Sequence, residues 1–132
     1  MSLEQQFVRQ KIPIEIQQGK PIIIEIHSLS GNGVNDVGIR CSAELWKAII
    51  PGARDMKVRL KSSSKPGVEV GGISLGGGAT AFLDYIPDFH NLFYVAGPSR
   101  SKAQVEITFM CAPAGISKAE ILIGQTPADT GL

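Results

Sequence analysis

The residues best suited to chemistry lie in the glycine-rich stretch around Ser74. Residues 72–76 fit the letters of the G-x-S-x-G nucleophile elbow, which holds a serine on a sharp strand-to-helix turn beside donors for an oxyanion. In this chain two more glycines, at 77–78, stand where the helix should begin, and an apolar run typical of a strand comes next. The pattern therefore indicates a strand interrupted by glycines, and we expect no hydrolase.

Phosphate and metal sites are not favoured either. A P-loop needs Lys and then Ser or Thr directly after its last glycine, and Ala79 stands there instead. The side chains available for a tetrahedral zinc site are His27, His90, Cys41 and Cys111. None of them is paired at the short spacing that structural zinc modules use. We expect neither a metal ion nor a cofactor.

One pair of carboxylates has the spacing of a compact acidic site. Asp84 and Asp88 could serve glycoside chemistry as paired acids, but Pro87 lies between them and indicates a chain reversal closed by an aspartate. With the serine, phosphate and metal sites disfavoured as well, the sequence predicts no catalytic residue. We expect a protein that is not an enzyme.

Aromatic residues cluster around the same proline and form a candidate ligand or recognition loop. Its members are Tyr85, Asp88, Phe89 and His90. Sugar-binding sandwiches stack their ligands on exposed aromatic rings, so this loop supports one alternative function, a carbohydrate-binding module or lectin. The other interpretation is a corner of the core, which apolar rings of this size commonly fill.

Five cations within twelve residues form a second candidate site: Arg54, Lys57, Arg59, Lys61 and Lys65. Residues 56–61 alternate strictly between apolar and charged side chains, so three of the cations share one face of a strand. They could contact an acidic patch on another protein, or they could protect a sheet edge from joining another edge. No aromatic residue is interleaved for stacking on bases, so we expect no direct contact with nucleic acid.

The elements that must position these residues are short strands separated by Gly, Pro and polar residues. The predicted strands are residues 7–16, 21–29, 34–41, 56–61, 68–75, 79–86, 92–95, 103–111 and 119–124. Residues 42–50 predict the one helix, with Ser42 as N-cap and Pro51 and Gly52 as its stop. We expect an all-β fold, an antiparallel two-sheet sandwich of jelly-roll type with one short helix over an open end.

Three details of this strand assignment concern position. Pro13 removes a ladder donor, which favours an edge or a bulge for the first strand. Isoleucine occurs on both faces of residues 21–29, which indicates a central strand. Asn35 and Asp36 weaken the prediction of a strand at residues 34–41.

Length and composition favour a single domain spanning residues 1–132. With 43% hydrophobic residues the chain can build a core without disulfides or metals. No run approaches the roughly 18 apolar residues of a membrane span, and residues 1–11 lack the apolar core of a signal peptide. We expect a protein made in the cytoplasm that does not enter a membrane. Its two cysteines, too few for a disulfide framework, are predicted to be free thiols.

Residues 68–110 resemble small accessory proteins of tailed-phage virions. The shared order is a strand and glycine-rich turn, a second strand, the aromatic strand at residues 91–96, a polar loop, and the alternating strand at residues 105–109. The resemblance implies a capsid decoration or cement protein. Such a protein belongs to the virion, is made in the host cytoplasm, and binds the major capsid protein and its own copies.

Self-association is also expected from the residues themselves. Residues 1–67 carry ten Lys or Arg against six Asp or Glu, whereas residues 68–132 carry three against six. The two parts are therefore +4 and −3, a polarity that favours head-to-tail contacts. Together with isoleucine on both faces of one predicted strand, this predicts a closed homo-oligomer, with a trimer favoured.

Overall fold

The structure, a computed structural model, describes residues 8–29, 35–73 and 88–125. Its elements are β1 (Val8–Ile16), β2 (Ile22–Ile26), β3 (Asn35–Arg40), α1 (Ala43–Ile49), a 3-10 helix (Ile50–Asp55), β4 (Lys57–Ser63), β5 (Glu69–Gly71), β6 (Phe89–Ala96), β7 (Ala103–Thr108) and β8 (Ser117–Gln125). The predicted strand at residues 79–86 lies outside the described residues, as do Ser74 and Tyr85.

Alternating side chains explain why these segments form strands. In β7, Ala103, Val105 and Ile107 are buried, whereas Gln104 and Glu106 between them are half-exposed. A period of two places one set toward a core and the other toward solvent. β1, β2 and β4 follow the same rule, so each sheet presents an apolar face to the other.

The strands pair as nested partners. β1 pairs with β8, β2 with β7 and β3 with β6, all antiparallel. These three nested pairs follow the pattern of one long hairpin folded into two sheets, as in a jelly roll. β5 departs from that pattern, because it pairs with β6 and not with β4. One sheet has the order β1-β8-β3-β6-β5 and the other the order β2-β7-β4. The predicted antiparallel two-sheet sandwich with one short helix is confirmed.

Edge and central positions were predicted with mixed success. β1 lies at the edge of the five-stranded sheet, as Pro13 indicates. The central position predicted for residues 21–29 is wrong, because β2 ends the three-stranded sheet and pairs only with β7 among the described residues. Its second apolar face is exposed: Ile23 is 49% exposed, while Ile24 and Ile26 are buried.

β3 is a central strand in spite of its polar start. Asn35 and Asp36 are both buried, and Asn35 Nδ2 donates to the Val95 carbonyl at 3.1 Å. A buried amide whose donor is satisfied across the sheet costs little. The doubt that these residues cast on the strand was therefore wrong.

The helix forms as its capping residue predicts. The Ser42 side chain accepts a hydrogen bond from the Leu45 amide at 3.1 Å, and Leu45 and Ile49 are buried in the core between the sheets. α1 ends at Ile49, but Pro51 does not stop the chain from turning, because it enters the first turn of the 3-10 helix, where no amide donor is needed. Neither helix in the described ranges is long and apolar enough to cross a bilayer.

Candidate functional site

The cationic face of β4 consists of Lys57, Arg59 and Lys61. All three side chains are exposed, and the intervening Val58 and Leu60 are half-buried and pack against the core. β4 pairs with β7 and lies at the end of the three-stranded sheet. The structure therefore places the three cations on one exposed strand face, as the period of two predicts.

One carboxylate partly neutralises this cationic face. Glu106 of β7 lies opposite Arg59 in the ladder, and its Oε2 is 3.4 Å from Arg59 Nη2 and 3.6 Å from Lys61 Nζ. These distances exceed those of strong charge-assisted hydrogen bonds, and the Arg59 side chain remains 65% exposed. Exposed pairs of this kind contribute little stability, so the cations remain available to another charged surface.

The other two predicted cations lie apart from this face. Arg54 is exposed in the 3-10 helix that precedes β4. Lys65 follows β4, and its Nζ donates to the Ser99 carbonyl at 2.8 Å. That bond ties the loop after β4 to the loop between β6 and β7. Lys65 thus has a structural contact, and the candidate surface centres on β4.

The candidate recognition loop is only partly available to a ligand. Asp88 is exposed and has a φ of 58°, a left-handed backbone that aspartate tolerates better than most residues. Phe89 is 6% exposed, and its ring lies over Gly38, where a Cβ would overlap it. The Phe89 ring therefore fills a corner of the fold, and the recognition role of this loop stays a prediction. Tyr85 lies outside the described residues.

His90 is held by an aromatic stack. Its ring lies parallel to that of Trp46 on α1, with centroids 3.7 Å apart and an angle of 4° between the planes. Burial lowers the pKa of His90, although the nearby Asp88 carboxylate opposes that change. The stack joins α1 to β6 and covers one face of Trp46, which removes that face as a platform for a sugar.

The cysteines show no sign of an activated nucleophile or a metal site. Burial raises the pKa of the Cys41 thiol, and Asp88 raises it further, so the thiolate is disfavoured. Both Cys41 and Cys111 are free thiols, as predicted. No group of three or more His, Cys, Asp or Glu within residues 8–29, 35–73 and 88–125 is arranged to hold a metal ion.

A groove lies where the edge strands β1 and β2 of the two sheets meet. Its volume is about 450 Å³, and it is lined by residues 10–13 of β1, by Ile23, Glu25 and His27, and by Gln104 of β7. Its lining combines apolar side chains, one acidic and one basic side chain (Glu25 and Lys11), the His27 imidazole and two side-chain amides.

The Gln10 side chain links β1 to β2 across this groove. Its Nε2 donates to the Glu25 carbonyl at 2.6 Å, and its Oε1 accepts from the His27 amide at 3.1 Å. This bridge was not predicted, because nothing local to Gln10 indicates a partner fifteen residues away. The single signal is the alternation of residues 10–16, which places the polar Gln10 on the same face as Ile12, Ile14 and Ile16.

Comparison of the chain with protein-family models, with curated proteins and with solved structures finds no match.

Proposed function

We propose that this protein is a non-enzymatic structural component of a tailed-phage virion, a capsid decoration or cement protein that binds the shell and its own copies. The observation that carries the proposal is the cationic face of β4, three exposed cations in one row with one carboxylate nearby. A row of this kind fits an acidic patch on a partner protein. Jelly rolls recur in viral capsid proteins and in lectins, an analogy of fold that supports the proposal without identifying the partner.

Shell binding tests the role of the cationic face. Replacing Lys57, Arg59 and Lys61 together with glutamine should leave the fold intact and weaken co-sedimentation with shells assembled from the major capsid protein encoded beside this gene. Wild-type binding should also fall as salt is added, because salt screens exposed charges over about 8–10 Å. A gene neighbourhood without portal, protease and capsid genes would itself count against the proposal.

The matched control removes the same charge elsewhere. Lys20, Lys47 and Lys118 are exposed and lie outside the cationic face, so their triple glutamine variant has the same net charge. It should bind shells as wild type does. If both triple variants bind as well as wild type at physiological salt, the cations serve edge protection and the proposed shell contact is wrong.

Self-association is the second part of the proposal, with a trimer as the expected assembly. Exposed isoleucines support it: Ile23, Ile50, Ile73 and Ile116 are each at least 40% exposed. A second copy could cover Ile23 on the outer face of β2, and closed symmetry is the usual outcome when copies associate. Light scattering at high concentration should return about three times the 14.1 kDa chain mass. A monomer mass would reject this part.

The lectin alternative has one supporting observation. The Tyr94 ring is 38% exposed and lies over Gly71 and Gly72, so it presents an aromatic surface on the outside of the five-stranded sheet. A glycan array separates the two functions: specific binding that is lost in Tyr94→Ala would favour the lectin, and an array without hits would favour the virion protein.

A further inference from the structure

The outer edge of β2 is closed at one point by a side chain instead of a strand. β2 pairs with β7 on one side, and in the described part of the chain its other side has no ladder. On that side the Gln10 amide satisfies the Glu25 carbonyl and the His27 amide. A glutamine amide offers the same donor and acceptor as a peptide group. Gln10 therefore stands where a peptide group of an added strand would lie.

Regular alternation in β1 places Gln10 at this edge. From Gln10 to Ile16 the register of β1 with β8 is uninterrupted, so Gln10 lies on the same face of β1 as Ile12, Ile14 and Ile16. That face is the inward one, since Ile14 and Ile16 are buried in the core. Because one flexible side chain closes the edge, it can be displaced without breaking either sheet.

The side chains beside this edge define what an added strand would need. Ile23 and Glu25 project from the same face of β2, two residues apart, and both are exposed. Half-buried Ile12 and exposed Pro13 of β1 extend the apolar part of the groove. Across a sheet, neighbouring side chains pair by like polarity or opposite charge. The groove thus suits an apolar residue beside Ile23 and a cationic residue beside Glu25.

We propose that the outer edge of β2, from Ile23 to His27, binds an extended peptide segment of a partner protein by strand addition, with Gln10 as the displaceable group that holds the edge in its absence. The segment carries an apolar residue and a cationic residue two positions apart. Backbone hydrogen bonds supply affinity in this mode of recognition, and alternate side chains supply specificity. The site does not include the cationic face of β4, so its test is independent of the test of the shell contact.

The probe is an acetylated six-residue peptide, Thr-Val-Thr-Lys-Thr-Thr, which places valine and lysine two positions apart, titrated into isotope-labelled protein. Amide signals of Ile23, Glu25 and His27 should shift. In Gln10→Ala the peptide should bind about tenfold tighter, since it no longer competes with two hydrogen bonds of the side chain. The matched control is Gln18→Ala, an exposed glutamine in the turn after β1, which should bind as wild type does.

Three further comparisons make the proposal falsifiable. The same peptide with alternate amides methylated keeps its side chains but cannot donate, and it should not bind. A glutamate peptide should bind more weakly than the lysine peptide. Ile23→Lys should abolish binding, whereas Ile116→Lys, a change of the same type at an exposed site away from the groove, should not.

Several results would overturn strand addition at this edge. They are equal binding of the methylated peptide, shifts confined to other strands, and no tightening in Gln10→Ala. A Gln10→Ala protein that pairs with its own copies and ignores the peptide would show that a second copy occupies the edge instead. Should Gln10→Ala lose its dispersed amide spectrum, Gln10→Met keeps a side chain of similar length, cannot donate to the Glu25 carbonyl, accepts only weakly from the His27 amide, and should give the same tightening.

Discussion

Gly38 shows how the absence of one side chain positions another residue. A Cβ at this position would overlap the Phe89 ring and approach the His90 carbonyl, so the ring can lie flat on the strand because nothing projects from Gly38. Leu122, the register partner of Gly38 on β8, is fully buried. Phe89 and Leu122 are therefore buried residues that do not belong to the core between the sheets.

Gly38→Ala should destabilise the fold by about 1–3 kcal/mol, because the added methyl must displace the Phe89 ring or bend β3. Urea unfolding measures the change. Phe89→Leu should offset part of it in the double variant, since the smaller side chain leaves room for the methyl. If the losses of unfolding free energy in Gly38→Ala and in Phe89→Leu simply add in the double variant, the two positions do not clash.

The stability of the protein should depend on pH through His90. Burial lowers the folded pKa of His90 below the ordinary 6.5, with Asp88 opposing. Between those two values the unfolded chain binds more protons than the folded chain, so the free energy of unfolding rises with pH across this window. The stability that neutral His90 contributes is lost as the pH falls through the same window. Thermal unfolding of wild type and His90→Gln on both sides of the window should show a smaller change in the variant.

The fluorescence of Trp46 should report the protonation of His90 directly, since Trp46 is the single tryptophan and stacks on His90. A fluorescence titration of the folded protein should give a midpoint below 6.5. A midpoint at or above that value would contradict the effect of burial.

Residue positions could be predicted from sequence where a local pattern decides them. The exposed faces of Lys57, Arg59 and Lys61 follow from the period of a strand. The burial of Phe89 does not, because its ring reaches over Gly38, which lies two residues from Arg40, the register partner of Phe89 on the neighbouring strand. The bridge from Gln10 to β2 has the same cause: its partners are set by how the two sheets meet.

At the scale of elements, helix α1 is the one most fully predicted. Its N-cap, buried face and length follow from residues 42–50, since capping and helical periodicity act over a few neighbours. The continuation into the 3-10 helix was missed, because Pro51 is as well suited to a first helical turn as to a helix stop. β2 was misplaced because apolar side chains on both faces of a strand do not reveal which of its two edges is paired, and Ile23 on the outer face is 49% exposed.

Ser42→Ala should cost about 1 kcal/mol in the free energy of unfolding, since it leaves the Leu45 amide at the helix start without its acceptor. Chemical denaturation measures the loss. Ser62→Ala is the matched control, because the Ser62 hydroxyl lies 3.4 Å from Gln104 Oε1 on an exposed surface and should contribute little. Equal losses in the two variants would contradict the capping role.

At the scale of the whole molecule, the nested pairing decides the fold. Strand segments can be recognised locally, but β1 pairs with β8 and β2 with β7 across most of the chain, and no local pattern specifies such partners. The sandwich class was predictable from strand spacing and turn residues. The order of strands, and with it the groove between β1 and β2, required the structure.

The two sheets and α1 should unfold together. One cluster of buried residues includes side chains from both sheets and from the helix, so neither sheet keeps its apolar face covered without the other. Trp46 fluorescence and far-ultraviolet circular dichroism should therefore give coincident urea transitions. A separate early transition in fluorescence would show that α1 detaches first.

The pairing of the first and last strands brings the two ends of the described chain to one place. Val8 and Gly124 are register partners, so the polypeptide enters and leaves the sandwich on the same rim. A cargo fused directly to either end of the described chain would emerge from that rim, and these two points could be joined by a short linker to give a circular permutant with new termini in a surface loop. For display on a particle surface, the orientation of such a cargo is set by the rim and not by the choice of terminus.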